Sequence, residues 1–156
     1  MFKLVLSLLF SLSFFPNTSA AQTYLLKYVY DGDTVKLQDA DGEFKLRIKD
    51  IDAPERNQAY GKKARRAVMQ LCKGKETLVT VRLTGMDKYQ RYLGRMQCNN
   101  IDVSLYLAEQ GLAWFDTKYS SDFEILQAQK MAQQNKVGLW QESNPMPPWV
   151  WRKLHH

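Results

Sequence analysis

The fold of this chain is decided by the stretch Asp31–Glu55, which reads DGDTVKLQDADGEFKLRIKDIDAPE. Apolar residues alternate with polar ones on both sides of a central Asp-Ala-Asp-Gly segment, which has the composition of a tight turn. The stretch therefore predicts a β-hairpin whose two outer ends lie close together. The carboxylates of Asp33 and Asp52, far apart in sequence, are expected to meet at that end of the hairpin.

The second strand of this hairpin presents two chemically different faces. Its apolar and basic residues alternate, with Phe44, Leu46 and Ile48 on one face and Lys45, Arg47 and Lys49 on the other. Because successive side chains of a strand point to opposite faces, Arg47 is expected to point away from the core, towards solvent or a ligand. Pro54 lacks a backbone donor and is expected to end the strand.

Three separated motifs resemble those of the staphylococcal nuclease family. They are the Asp-Gly-Asp-Thr segment that starts at Asp31, an Arg47 that precedes Asp52-Ala53-Pro54-Glu55, and the segment Asp87-Lys88-Tyr89-Gln90-Arg91. Each motif alone is a common turn or strand end, but three of them in this order form a specific pattern. The resemblance extends over residues 24–140.

The resemblance implies both a fold and an activity. The family fold is a small Greek-key barrel of the oligonucleotide/oligosaccharide-binding (OB) type. Members of the family are calcium-dependent endonucleases that hydrolyse the phosphodiester bonds of DNA and RNA. Their products carry 3′-phosphates, and their sequence specificity is low.

The resemblance also implies roles for individual residues. Arg47, Glu55 and Arg91 match the catalytic residues, the arginines as phosphate clamps and the glutamate as general base. Asp33, Asp52 and the main-chain carbonyl of Ala53 match the calcium ligands, Asp31 matches an acidic residue beside the metal, and Lys88 and Tyr89 match residues that contact the nucleotide's terminal phosphate. Gln90 replaces the usual glycine of the third motif, and Arg95 is an alternative to Arg91.

The chemistry of these residue types agrees with phosphodiester hydrolysis. A phosphodiester repels nucleophiles through its own negative charge, so hydrolysis needs positive charge on the non-bridging oxygens and an oriented water. Arginines supply planar, permanently charged donors to such oxygens. Carboxylates without histidine or cysteine form an all-oxygen site, which favours calcium or magnesium over zinc.

The hydrophobic patterns of the whole chain predict short strands at 24–30, 34–38, 43–51, 77–83 and 92–98. They predict helices at 61–72, 103–110 and 121–136, the last with Phe123, Leu126, Ala128 and Met131 facing inward. A helix inserted after the third of five strands is typical of an OB-type barrel. We therefore expect an α+β fold, mainly β, in which a five-stranded Greek-key barrel carries three packed helices.

The first 21 residues are expected to be a secretory signal peptide, cleaved after Ala20 or Ala21. Lys3 precedes an apolar run that ends at Pro16, and small residues follow it. The run is short for a membrane span. We expect a secreted or periplasmic nuclease domain at 22–143, a Pro- and Trp-rich tail at 144–156 that packs on it, and no membrane attachment after cleavage.

The chain is basic, with 22 lysines and arginines against 16 aspartates and glutamates and a net charge of +6. A basic exported domain suits an anionic partner, so DNA and RNA are the expected substrates of what we expect to be a monomer. The alternative explanation is that the charge only keeps the protein soluble, and the charge alone does not distinguish this from binding of an anionic partner.

Cys72 and Cys98 are the two cysteines of the chain. Export permits a disulfide between them. The end of the first predicted helix and the end of the strand at 92–98 can be neighbours in a barrel, so we expect the bond to form. Two buried free thiols are the alternative.

A non-catalytic OB module that binds nucleic acid is the main alternative to an enzyme. A barrel that binds oligosaccharide or protein is a third interpretation, which the basic charge disfavours. A binding module has no need to keep the carboxylates and arginines of a hydrolytic site together, and this chain has all of them: Asp33, Arg47, Asp52, Glu55 and Arg91. The enzyme is therefore the preferred interpretation.

Overall fold

The computed structural model describes residues 20–73 and 77–155, so nearly all of the proposed signal segment lies outside the described residues. The strands are β1 (Gln22–Val29), β2 (Thr34–Gln38), β3 (Glu43–Ile48), β4 (Ile51–Asp52), β5 (Leu78–Met86), β6 (Tyr92–Cys98), β7 (Ile101–Asp102) and β8 (Trp114–Phe115). The helices are α1 (Gly61–Leu71), α2 (Val103–Glu109), α3 (Phe123–Gln134) and α4 (Pro148–His155), with a 3₁₀ turn at Gly138–Gln141. In this described part, no helix is long and apolar enough to cross a membrane.

Five strands close into a barrel. β3, β2, β1, β5 and β6 follow one another as antiparallel neighbours, and a parallel pairing of β3 with β6 closes the ring. The predicted hairpin is present, with Thr34 opposite Arg47 and Gln38 opposite Glu43. This mixed barrel with helices packed on it confirms the expected α+β fold of OB type.

The core of the barrel is filled by the apolar face of the hairpin. Leu37, Leu46 and Ile48 have no exposed surface. Val68 of α1 and Leu107 of α2 join the same hydrophobic cluster. Each such side chain contributes about 1.5–3 kcal/mol through removal of its apolar surface from water. The alternation that predicted the hairpin is therefore also what places its polar residues outside the core.

A disulfide joins Cys72, which directly follows α1, to Cys98 at the end of β6. The two Cα atoms are 4.9 Å apart and the residues are 26 positions apart in sequence. The bond expected from the sequence is thus present, and it ties the C-terminal end of α1 to the barrel.

Three helices were expected from the sequence, but the structure has a fourth, α4, in the described residues. Its first residue is Pro148, whose fixed backbone angle suits the first helical position and whose missing N–H costs no hydrogen bond there. Arg152 and Lys153 lie in its last turn, where positive charge complements the helix dipole. The aromatic tail that was expected to pack on the domain is therefore partly helical.

The buried face of α3 also differs from the prediction. Phe123 and Met131, expected to face inward, are 69% and 54% exposed. Ile125 and Gln129 are buried instead. The side-chain oxygen of Gln129 accepts a hydrogen bond of 2.7 Å from the backbone N–H of Phe115. A satisfied polar side chain thus occupies a core position that a hydrophobic pattern does not reveal.

Candidate active site

The turn after β1 and the short strand β4 bring Asp33 and Asp52 to the same end of the barrel. Asp33 Oδ2 accepts a hydrogen bond of 2.6 Å from the backbone N–H of Ala53. Gly32 makes this approach possible, because a Cβ atom there would lie 2.7 Å from Ala53 Cβ and 2.9 Å from Ala64 Cβ. The turn can therefore sit against both β4 and α1 only if it carries no side chain at this position.

Arg47 lies between the two carboxylates. Its Nη1 is 3.2 Å from Asp33 Oδ2, and its Nη2 is 3.1 Å from Asp52 Oδ1. Nη1 also donates to the carbonyls of Ile48 and Ile51, at 2.8 and 2.9 Å. Only 14% of the Arg47 side chain is exposed. The arginine is on the predicted face of its strand. It was expected to point towards solvent or a ligand, but it is largely enclosed and also donates hydrogen bonds to the local backbone.

Asp33 is a carboxylate in an unfavourable environment. Burial raises its pKa from 3.8 to about 8, because the charged form loses its hydration. Arg47 lowers this pKa, whereas repulsion from Asp31 and Asp52 raises it further, and the N–H of Ala53 lowers it. Burial therefore disfavours the ionised form of Asp33, and a further cation beside the carboxyl would favour that form.

The donors around Asp33 fit a hard divalent cation. Asp33 and Asp52 offer carboxylate oxygens, which calcium and magnesium prefer. Asp31 uses one oxygen to accept from the backbone N–H groups of Asp33 and Thr34, at 3.0 and 2.7 Å, so it shapes the turn beside them. Within residues 20–73 and 77–155, no group of three or more His, Cys, Asp or Glu side chains could hold a metal. A cation here would depend on two carboxylates supplemented by main-chain oxygen and water.

Glu55 follows β4 and contacts a residue from the far end of the chain. Its Oε1 accepts a hydrogen bond of 2.9 Å from Nη1 of Arg152 in α4. The same guanidinium donates to both oxygens of Asp52, at 3.2 and 2.8 Å. The tail was expected to pack on the domain, but no role in the site was predicted for Arg152. The one feature of the sequence that could have indicated this role is the position of the arginine next to the tryptophans of the tail.

The backbone of Glu55 is fixed by its own loop. Its N–H donates to the side-chain oxygen of Gln58 at 3.0 Å, and its carbonyl accepts from the Gln58 N–H at 2.8 Å. Gln58 Nε2 donates to the carbonyl of Met146 at 2.7 Å, which ties the loop to the C-terminal segment. A Cβ atom at Gly61 would lie 1.8 Å from the Glu55 carbonyl oxygen. The loop is therefore closed tightly against the start of α1.

Three tryptophans anchor α4 next to the site. The ring of Trp114 in β8 lies 4.5 Å from that of Trp140 and 5.4 Å from that of Trp149, both edge to face. β8 pairs with β4, where Trp114 lies opposite Asp52. The aromatic contacts of α4 thus bring Arg152 to the strand that carries Asp52. They also make Trp114 a packing residue.

Arg91 is separate from this cluster in the structure. Its Nε and Nη2 donate to Asp87 Oδ2, at 2.9 and 2.8 Å, and no hydrogen bond or ion pair of this described residue reaches Asp33 or Asp52. Gln90 has φ of 60°, the left-handed region that favours glycine. Tyr89 is 68% exposed, and Lys88 is exposed beside it. The third motif therefore forms a surface turn whose arginine is held by its own aspartate.

Arg95, the alternative to Arg91, is engaged by three aspartates. It forms ion pairs with Asp50, Asp102 and Asp122, at 3.1, 2.9 and 2.6 Å. Asp102 and Asp122 are the N-cap residues of α2 and α3. Arg95 therefore joins the barrel to two helix starts and has a structural role.

Comparison with known proteins gives consistent matches. The family described as Staphylococcal nuclease homologue matches residues 45–142. An uncharacterized endonuclease of Escherichia coli is 36% identical over 125 residues, 80% of each chain. One of Haemophilus influenzae is 37% identical over 126 residues, 80% of this chain and 70% of that protein. A staphylococcal-like nuclease of Arabidopsis thaliana is 37% identical over 111 residues, 71% of this chain and 34% of that protein.

Proposed function

This chain belongs to the staphylococcal nuclease homologue family and is an endonuclease, and we propose that it uses calcium to hydrolyse DNA and RNA to 3′-phosphate products. The proposal is carried by one observation, the meeting of Asp33, Arg47 and Asp52 at the end of the barrel that also holds Glu55. We further propose that the enzyme acts as a monomer with low sequence specificity.

The proposed calcium ion is held by Asp33 and Asp52, with the main-chain carbonyl of Ala53 as a further ligand and Asp31 beside the ion. Two features support this assignment. The donors are all oxygen, and a cation beside the buried Asp33 carboxyl would offset the desolvation that raises its pKa. When bound, the ion supplies Lewis-acid polarisation of the phosphate.

Glu55 is proposed as the general base that orients and deprotonates the attacking water. Its fixed backbone and its hydrogen bond from Arg152 give the carboxylate a defined direction. Arg47 is proposed to stabilise the negative charge that develops on the phosphate, because its guanidinium is already held by the carboxylates on either side. Arg152 is a proposed positioning residue, since it links the base to the metal ligand Asp52.

The third motif is proposed to act from the rim of the site. Arg91 is 28% exposed and its guanidinium is neutralised by Asp87, so phosphate has to reach it at the surface. Lys88 and Tyr89, both exposed, are proposed to contact the terminal phosphate of the bound nucleotide. We thus propose that Arg47 acts at the reacting phosphate and that the turn at 87–91 acts beside it.

Export completes the proposal. Residues 1–21 have the sequence pattern of a cleaved signal, and most of them lie outside the described residues. The disulfide between Cys72 and Cys98 suits an oxidising compartment. We therefore propose that the mature domain at 22–143, with its tail at 144–156, works in the periplasm or the medium.

The test is cleavage of labelled single-stranded DNA, double-stranded DNA and RNA in calcium, in magnesium and with a chelator. Cleavage in calcium with phosphatase-sensitive 3′ ends supports the proposal. Glu55→Gln is the matched variant and is expected to lose most activity with an unchanged circular dichroism spectrum. Binding of all three nucleic acids without cleavage would favour the non-catalytic OB module, and full activity with the chelator would remove calcium from the mechanism.

A further inference from the structure

A concave basic surface lies beside the proposed site and takes no part in it. The loop at 56–60 and the first turns of α1 line a groove of about 720 Å³. Its charged residues are Arg56, Lys62, Lys63 and Arg66, and all four are exposed. We call this surface the α1 groove. Its lining contains no acidic residue.

The positive charges of the α1 groove have no carboxylate partners among the described residues. Lys63 lies over the ring of Tyr60, with Nζ 4.3 Å from the ring centroid. Arg66 Nε donates to the main-chain carbonyl of Lys62 at 3.3 Å. Neither contact neutralises the charge of its side chain. The groove therefore presents four cations to solvent on one concave surface.

The lysines of the groove do not serve the stability of their helix. Lys62 and Lys63 lie in the first turn of α1, where the helix dipole favours negative charge, and that turn contains no acidic residue. Tyr60, at the N-cap, makes no capping hydrogen bond with its side chain. Positive charge at this position opposes the dipole, so Lys62 and Lys63 do not stabilise α1 through this interaction.

The α1 groove is joined rigidly to the proposed base. Its first residue, Arg56, follows Glu55 directly, and Gln58 bonds both the N–H and the carbonyl of Glu55. Gly61 packs so closely on the Glu55 carbonyl that no side chain fits there. A chain bound along the groove would therefore be held in a fixed position relative to Glu55.

We propose that the α1 groove binds the sugar-phosphate backbone of the nucleic-acid strand beyond the bond that is cut. This inference rests on the proposed function, because it assigns the groove to the same substrate. Polynucleotide is the ligand class that matches the four unpaired cations, since it carries a phosphate on every nucleotide. The enzyme then prefers long strands to short ones, because only long strands reach from the site into the groove.

The experiment removes three of the four charges with Lys62→Gln, Lys63→Gln and Arg66→Gln in one variant. Arg56 is kept because it is adjacent to Glu55. The matched control is Lys27→Gln, Arg82→Gln and Lys130→Gln, which removes the same charge from exposed positions outside the groove. Both variants are compared with the wild type on a long single-stranded DNA and on a thymidine dinucleotide.

For the groove variant we expect kcat/KM on the long strand to fall by about tenfold or more at low salt, with cleavage of the dinucleotide unchanged. The slope of log(kcat/KM) against log[salt] should become shallower by about 2, since each single-strand phosphate contact contributes about 0.7. Equal losses on both substrates, equal losses in the control variant, or no loss on the long strand would each overturn the proposal.

A binding measurement separates this inference from the proposed function. Fluorescence anisotropy of a labelled single-stranded DNA is followed in the presence of a chelator, so no cleavage is needed. Binding by the wild type that weakens by about tenfold or more only in the groove variant supports the groove, even if the wild type cuts nothing. Equal binding by all three proteins overturns the groove, even if the wild type is an active nuclease.

Discussion

Arg152 donates to both carboxylate oxygens of Asp52, at 3.2 and 2.8 Å, across 100 positions of sequence. The same guanidinium is 2.9 Å from Glu55. Asp52 is thus paired with Arg47 on one side and with Arg152 on the other. The end of the barrel that holds the proposed site is therefore completed by the last helix.

Replacing Arg152 by glutamine is expected to lower kcat by about tenfold, the effect of one charge-assisted hydrogen bond on the proposed base. KM should change little, because Arg152 is engaged by protein carboxylates. The variant should also bind calcium more tightly by calorimetry, since Asp52 loses a competing cation. Lys153→Gln, at the adjacent exposed position, is the control. Weaker calcium binding in the Arg152 variant would contradict this role.

Asp33→Asn is expected to stabilise the protein in the absence of calcium. The folded pKa of Asp33, about 8, lies above its unfolded value of 3.8, so the folded state binds the extra proton. Stability from this group is fully present below about pH 4 and is lost as the pH rises towards 8. Asparagine imitates the neutral form, so the variant should gain about 1–3 kcal/mol at the alkaline end.

Urea denaturation with a chelator at several pH values measures this difference. The gain should shrink towards about pH 4, where wild-type Asp33 is itself protonated. The exposed Asp41→Asn is the control and should show no such trend. If the Asp33 variant is less stable than the wild type at alkaline pH, the prediction is wrong. The interaction of Asp33 with Arg47 would then stabilise the fold by more than the desolvation of the carboxylate destabilises it.

Calcium is expected to raise the stability of the wild type more than that of any variant that lacks a proposed ligand. A concentration of 100 times Kd corresponds to about 2.7 kcal/mol. Asp33→Asn and Asp52→Asn should lose most of this gain, and Asp52→Asn should need more calcium for half activity. Thermal unfolding with and without calcium gives the result. Equal stabilisation of Asp52→Asn would remove that residue from the metal site.

Gly61→Ala is expected to abolish most activity and to reduce stability, because its Cβ would lie 1.8 Å from the Glu55 carbonyl oxygen. The loop that fixes Glu55 would have to open. Gly85→Ala is the matched control, since a Cβ there meets nothing within 4 Å. Turnover and the urea midpoint should fall in Gly61→Ala and stay near the wild-type values in Gly85→Ala. Wild-type activity in Gly61→Ala would mean that the position of the Glu55 backbone is unimportant.

Loss of the disulfide is expected to cost stability without disturbing the site. In the chain-entropy model a loop of this length is worth roughly 3 kcal/mol. The double variant Cys72→Ser, Cys98→Ser should lose about that amount and keep its turnover at low temperature. A reductant should lower the stability of the wild type and leave the variant unchanged. If the reductant leaves the wild type unchanged, or lowers the stability of the double variant as well, the disulfide is not the source of this stability.

The sequence was sufficient for the parts of the site that depend on local pattern. Alternation in the hairpin sets its register, and the register brings its ends together, so the proximity of Asp33 and Asp52 could be predicted. The face of Arg47 was also predicted from strand parity. Its burial was not, because the carbonyl of Ile51 and the carboxylates close around it only in three dimensions.

Contacts between segments that are distant in sequence could not be predicted from one sequence alone. Arg152 reaches Asp52 because Trp149 packs edge to face against Trp114, a contact between residues with no common periodic pattern. The direction of Arg91 depends on a turn in which Gln90 takes a backbone conformation usual for glycine. The inward face of α3 was misjudged because the buried Gln129 is polar and finds its partner in another element.

The aromatic anchor of α4 has an optical consequence. The chain has four tryptophans, of which Trp114 contacts both Trp140 and Trp149, and Trp151 lies two residues after Trp149 on α4. The intrinsic fluorescence of the protein therefore originates almost entirely at the junction between this helix and the barrel. Emission recorded without any label would report whether α4 is docked, and so could follow the arrival of Arg152 at Asp52 in real time.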